Sequence, residues 1–152
     1  MADELNFAIE IPCDGDGFVL LQCSQCGELF KLRPDDCESD EVAEICPSCG
    51  IASDSYVTDD VLEFAMAVAK NEAFSVLRKE MKELERKTKG RAVSFKAGNF
   101  PKPDDVPVLQ PSIDTLAVAT CTHCRRQMKV SLLLSMSVFV CPLCGVSNFN
   151  DR

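Results

Sequence analysis

The sequence predicts a small α+β fold in which two short antiparallel sheets, each held by four cysteines, are joined by one long α-helix and an extended linker. Three observations carry that reading. Eight of the ten cysteines fall into four Cys-x-x-Cys pairs: Cys23/Cys26, Cys46/Cys49, Cys121/Cys124 and Cys141/Cys144. Residues 59–88 contain no proline or glycine. Residues 89–112 then carry four prolines and two glycines with no helical period.

The pairs form two sets, separated internally by 19 residues (27–45) and 16 residues (125–140). Both spacings fit a four-thiolate zinc site. Two residues between paired cysteines let one tight turn aim both sulfurs at a single cation. Glycine after the second cysteine (Gly27, Gly50, Gly145) supplies the left-handed backbone that such a turn needs, whereas Arg125 stands there in the third pair. Pro47 and Pro142 stiffen two of the turns. Four thiolates leave no open position, which makes a structural site and not a catalytic one. Two Zn2+ ions are therefore expected, one held by Cys23, Cys26, Cys46 and Cys49 and one by Cys121, Cys124, Cys141 and Cys144. Each set spans a segment near the size, roughly 40 residues, below which an apolar core rarely sustains a fold alone. Tetrahedral iron would fit the same thiolates, but a chain with no tryptophan and one tyrosine departs from the aromatic core of rubredoxin.

The flanking elements follow from local pattern. Leu5, Phe7, Ile9 and Ile11 alternate with polar or small residues, so 5–11 reads as a strand. Asp14-Gly15-Asp16-Gly17 reads as a turn and Phe18–Leu21 as the returning strand, with another from Glu28 to Leu32. An acidic loop at 34–41 and a strand at 42–45 lead into Cys46. Hairpin, cysteine turn, strand, loop, strand and cysteine turn is the order of a zinc ribbon. A second ribbon is expected from strand 115–120, an apolar strand 128–134, a Ser-Met-Ser turn and strand 138–140. The domains are then 1–55 and 113–152 as ribbons, 56–90 as the helix and 91–112 as the linker.

Thr58 is a fitting N-cap for that helix, Asp59 and Asp60 suit the positive end of its dipole, and Gly90 stops it. Phe74, Leu77, Met81 and Leu84 are spaced three, four and three apart, like a coiled-coil seam available for self-association or a partner helix.

Charge is unevenly distributed. Residues 1–63 hold 16 acidic and two basic side chains, residues 64–102 four acidic and ten basic, and residues 103–152 four of each. Arg86, Lys87, Lys89, Arg91 and Lys96, with Arg125, Arg126 and Lys129 near the third cysteine pair, are candidate contacts to nucleic acid or an acidic partner. Glu80, Glu83 and Glu85 interrupt the basic run. His123, the only histidine, lies between two ligands and is expected at an exposed turn tip. Cys13 and Cys37 are expected as free thiols. No spacing of Ser, His, Asp or Glu offers a catalytic constellation, so no enzyme is expected. The first residues lack a basic segment followed by an apolar one, and no apolar run has membrane-spanning length. A cytoplasmic, reducing setting suits so many thiols.

The motifs LQCSQCGELFKL, EICPSCG, CTHC and VCPLCG resemble the zinc ribbon fold group. Together with the long helix and the KGRAVSFKAGN stretch, the chain resembles small bacterial proteins with two zinc ribbons. The resemblance implies metal and fold. For function it implies only that related ribbons bind nucleic acid or dock on proteins. The reading that follows is a non-enzymatic adaptor or regulatory protein. Nucleic-acid binding through 78–102 is the alternative, and a rubredoxin-like electron carrier stands behind it.

Overall fold

The computed structural model describes residues 8–38, 44–109 and 115–149. Two antiparallel sheets and one long helix make up the expected small α+β organisation. Strands β1 (Val19–Gln22) and β2 (Leu29–Leu32) form the hairpin that carries the first cysteine turn. Strands β3 (Ala117–Thr120) and β4 (Gln127–Val130) form its counterpart around the third. The two hairpins do not make separate sheets. β2 pairs antiparallel with β4, Lys31 opposite Lys129, in one four-stranded sheet ordered β1-β2-β4-β3. The segments read as separate ribbons thus lie within one compact body, residues 10–59 with 109–152.

The two halves of that body obey one repeat. Phe30, Lys31 and Leu32 stand four, five and six residues after Cys26, as Met128, Lys129 and Val130 do after Cys124. All six are buried. Phe30, Leu32, Met128 and Val130 form the apolar floor, joined by Tyr56, Phe139, Leu143 and the inner cysteines. A second joint lies between the other two cysteine turns. The Ile45 N–H donates to the Pro142 carbonyl at 3.1 Å, and the Val140 N–H donates to the Pro47 carbonyl at 2.9 Å. These are equivalent positions, one before and one after the leading cysteine, so the bonds are reciprocal.

Strands β5 (Val138–Val140) and β6 (Ser147–Phe149) pair as a two-stranded sheet around the fourth cysteine turn. Around the second, a single bridge forms among the described residues, Ile45 to Ala52; residues 42 and 43 of the strand expected at 42–45 lie outside the described ones. Two expected strands differ among the described residues. The apolar run after Val130 becomes a short helix, α3 (Leu132–Met136), because β3 begins at Ala117 and offers no ladder partner beyond Val130. Of the strand expected at 5–11, residues 8–11 are not strand, and residues 5–7 lie outside the described ones. A strand there needs a free edge. β1 has none to give near its end, because its Gln22 N–H donates to the Tyr56 carbonyl at 2.9 Å. The acidic loop opens with a one-turn helix, α1 (Pro34–Cys37).

Helix α2 (Asp59–Thr88) has the expected bounds, 30 residues and about 45 Å of rise. Gly90 follows in the left-handed conformation at φ 84°, and the Arg91 N–H caps the Thr88 carbonyl at 3.2 Å. The stretch after it doubles back along its own helix. Thr88 Oγ1 accepts from the Phe95 N–H, Arg78 donates to the Pro101 carbonyl, and Asn71 pairs both ways with the Asp104 backbone at 2.8 and 2.9 Å. Helix and connector, residues 60–108, belong to a second compact body.

Candidate metal centres

Each cysteine turn is built by the same two backbone hydrogen bonds. In the first, the Gly27 N–H donates to the Cys23 carbonyl and the Cys23 N–H to the Glu28 carbonyl, both at 2.9 Å. The pattern recurs at Cys46, Cys121 and Cys141 with lengths of 2.9 to 3.1 Å. The residue after the second cysteine is left-handed every time: Gly27 at φ 76°, Gly50 at 68°, Gly145 at 72° and Arg125 at 63°. Arg125 is the one non-glycine residue with positive φ among those described. A side chain in that conformation costs roughly 1–2 kcal/mol. Arg125→Gly should therefore stabilise the metal-loaded protein by about 1 kcal/mol, read as a rise in thermal midpoint, whereas Gly27→Arg should lower it.

The structure gathers the two predicted sets and keeps them apart from other ligand types. Within each set the four sulfurs lie within 4.8 Å of one another. Cys23 and Cys49 Sγ are 3.8 Å apart and Cys26 and Cys46 Sγ 3.5 Å; in the other set Cys121 and Cys144 are 3.6 Å apart and Cys124 and Cys141 3.7 Å. Sulfurs about 2.3 Å from a tetrahedral zinc ion stand about 3.8 Å from each other, so both sets fit such an ion. The leading cysteine of each turn is buried, at 1% exposure or less.

Electrostatics prepare these sulfurs unequally. Burial pushes the Cys121 thiol up, but N–H groups of Cys124 and His123, then Asn148 and Cys144, pull it down to about 6. Cys23 is likewise raised by burial and brought down to about 7, chiefly by the Cys26 and Gln25 N–H groups. Burial instead prevails at Cys46 and Cys141, whose thiols are driven far up. A metal ion would supply the charge that ionises them. Asn148, which the sequence reading did not mark, organises the second set from outside. Its Oδ1 accepts from the Thr122 N–H and hydroxyl at 2.8 and 2.9 Å, while its Nδ2 donates toward Cys121 Sγ at 3.5 Å.

Comparison with family models, with curated proteins and with solved structures finds no match to this chain. Its chemistry is read from its own residues.

Cys13 and Cys37 join neither cluster; Cys13 is exposed, and burial together with Glu44, Asp36 and Glu38 lifts the Cys37 thiol to about 11. His123 is exposed at its turn tip.

Lys129 requires correction as a surface contact residue. It is 2% exposed, and its Nζ donates to Asp14 Oδ2 at 2.8 Å and Asp16 Oδ2 at 2.7 Å. Lys31, also 2% exposed, reaches the same Asp14 oxygen at 2.9 Å. Two facing lysines would repel. The one carboxylate between them turns the crossing of β2 and β4 into a buried ionic cluster, with Phe18 beneath Lys129 at 5.1 Å. Burial raises the Asp14 carboxyl, but hydrogen bonds from Lys129, the Phe18 N–H, Lys31 and the Asp16 N–H hold it well below the usual carboxylate range. Both lysines stand five residues after a cysteine pair, a repeat that aligns them without telling a buried lysine from an exposed one.

The remaining contact candidates divide. Arg126 pairs with Asp36 at 3.4 Å and Arg125 is exposed. Arg86, Lys89 and Lys96 line a hollow of about 560 Å³ with Lys82, Glu85 and Phe95, whereas Lys87 pairs with Glu83 at 3.7 Å and Arg91 lies outside that lining. Along α2, Leu77 and Leu84 are 48% and 44% exposed, while Phe74 and Met81 are half-buried. Among the described residues no helix is long and apolar enough to cross a membrane.

Proposed function

We propose that this protein is a non-enzymatic adaptor or regulatory subunit whose two four-cysteine centres hold structural zinc. The carrying observation is that both clusters are complete four-sulfur sets of tetrahedral dimensions, with their leading sulfurs buried under the joint between the ribbons. Such sites fix a shape and leave no position for a substrate. Recognition then falls to surfaces outside the metal centres. The half-exposed seam of Leu77, Met81 and Leu84 supports self-association or docking of a partner helix. This reading places the chain beside the bacterial two-ribbon proteins it resembles, in a reducing cytoplasm.

Purified protein is expected to be colourless, with two zinc ions per chain. Leu77→Glu with Leu84→Glu should shift sedimentation of the full chain toward the monomer or abolish partner capture. Red protein would overturn the zinc assignment, and unchanged sedimentation and capture would remove the seam from the reading.

One observation favours a second reading. Lys82, Arg86, Lys89 and Lys96 converge on one hollow beside the Phe95 ring, a combination that suits a phosphate backbone and a stacked base. Binding of mixed single-stranded nucleic acid that falls steeply with salt, and is lost on neutralising Arg86 and Lys89, would favour it. Absence of binding at low salt would dismiss it.

A further inference from the structure

The internal repeat shows how each ribbon treats the outer edge of the sheet. On the first ribbon, Ser24 and Ser53 join the two cysteine turns through their hydroxyls at 2.6 Å. The chain then continues along β1. The Tyr56 carbonyl accepts from Gln22 N–H at 2.9 Å, and the Tyr56 ring sinks to 4% exposure, edge-on to Phe30 at 5.5 Å. Its hydroxyl donates to the Glu44 and Ile51 carbonyls and accepts from the Ser53 N–H. This one segment bonds the Gln22 end of the edge and anchors itself by a ring.

On the second ribbon the equivalent positions are Thr122 and Asn148 for the turn-to-turn bond, Thr120 for Gln22, and Asp151 for Tyr56. Aspartate brings no ring. No described residue takes the Thr120 N–H as Tyr56 takes that of Gln22. A groove of about 390 Å³ runs along all four residues of β3, walled by Leu132 and Met136 of α3 and Phe149 of β6, with Phe139 at its base. Its rims are apolar and open: Val118 is 53% exposed, Leu132 59%, Met136 62% and Phe149 65%. None of the described residues lining it is charged, and Ala-Val-Ala-Thr has none of the lysines, prolines or bulges that normally protect an edge.

We infer that the β3 groove binds an extended, uncharged segment of a protein partner, laid along β3 as an added strand with one bulky apolar side chain between α3 and β6. The inference deepens the adaptor reading and rests on it, naming the surface and the chemistry of the partner. Tyr56 and its neighbours supply the pattern for the occupant, a backbone bond to the edge and a ring as anchor. A second copy pairing β3 against β3 is the competing occupant, and a dimer is therefore one of the outcomes of the test. Strand addition uses backbone bonds for affinity and side-chain pockets for selection.

The test selects from a displayed library of random twelve-residue peptides on full-length, zinc-loaded protein. Enriched peptides are expected to share an aromatic or large aliphatic residue within an uncharged stretch. Their binding should protect the Val118 and Thr120 amides from exchange and weaken at least tenfold in both Met136→Glu and Thr120→Pro. Zinc content of two per chain verifies that each variant is folded, and Met136→Glu, on an exposed helix position, is the less intrusive of the two. Peptides that protect α2 instead would overturn the groove while leaving the adaptor reading intact. Failure to enrich any sequence, binding indifferent to both substitutions, or a dimer that Thr120→Pro converts to monomer would also overturn it.

Discussion

Replacing Cys46 with serine is expected to unfold both ribbons, including the one whose four cysteines are untouched. A four-thiolate zinc site is worth about 10–16 kcal/mol of apparent folding free energy in small metal-dependent domains. That equals or exceeds the whole stability of an ordinary domain, about 5–15 kcal/mol. If the ribbons were independent, the variant would keep one metal ion and half of its dispersed amide resonances. The joint argues otherwise. Ile45, beside the substituted residue, donates to Pro142, and Val140 donates to Pro47. Lys31 and Lys129 share Asp14. Loss of the first site removes the partners of the second ribbon's backbone and leaves Lys129 without its buried counter-charge. The expected metal content is therefore near zero per chain, measured after gel filtration. A stable content of one would show that the ribbons fold separately.

Asp14→Asn should be nearly as damaging although it touches no metal ligand. Breaking a buried ion pair by removing one partner typically costs about 3–5 kcal/mol, because the remaining charge is stranded. Here two lysines at 2% exposure share the same carboxylate oxygen, and Lys129 keeps Asp16 Oδ2 at 2.7 Å besides, which places the loss at the lower end of that range. Denaturation of zinc-loaded protein at pH 7 should show a loss of about 3 kcal/mol, and adding Lys129→Met to the Asp14→Asn variant should recover part of it. The pH dependence has a definite sign. The folded Asp14 carboxyl titrates below its unfolded value, near 4. Its contribution is therefore fully present above about pH 4 and is lost as pH falls through the folded value. The stability gap between wild type and Asp14→Asn should stay constant from about pH 8 to 5 and narrow at lower pH while both proteins still hold two zinc ions per chain, which is measured alongside because acid also protonates the thiolates. A gap that stays constant into acid would mean that the carboxylate is not what holds the lysines.

The cysteine sets were legible in the sequence because their chemistry is local: ligand spacing, a left-handed residue and a stiffening proline all lie within a few positions. Helix α2 was legible for the same kind of reason, an uninterrupted 30-residue run between a cap and a glycine. The joint between the ribbons was not. Its deciding contacts span 113 and 115 residues of sequence, and no local pattern distinguishes a lysine that meets solvent from one that meets an aspartate that far away. Lys129 shows the difficulty most clearly. In β4, Met128 and Val130 face the apolar floor, and alternation turns Lys129 to the other side. That side is ordinarily wet, but here the turn at Asp14–Gly17 and the Phe18 ring cover it. The groove along β3 was hidden for a related reason. It becomes recognisable only when the two ribbons are compared with each other and one proves to carry a Tyr56 that the other lacks.

The seal that Tyr56 places on β1 also limits valency. A sheet with two open edges can accept strands from both sides and grow without limit, whereas here the Tyr56 carbonyl already holds the Gln22 end of β1 and the proposed addition uses β3 alone. Whatever strand is added at β3, this edge admits a single guest per chain. The asymmetry between two otherwise matching halves thus separates a one-to-one connector from a seed for fibres.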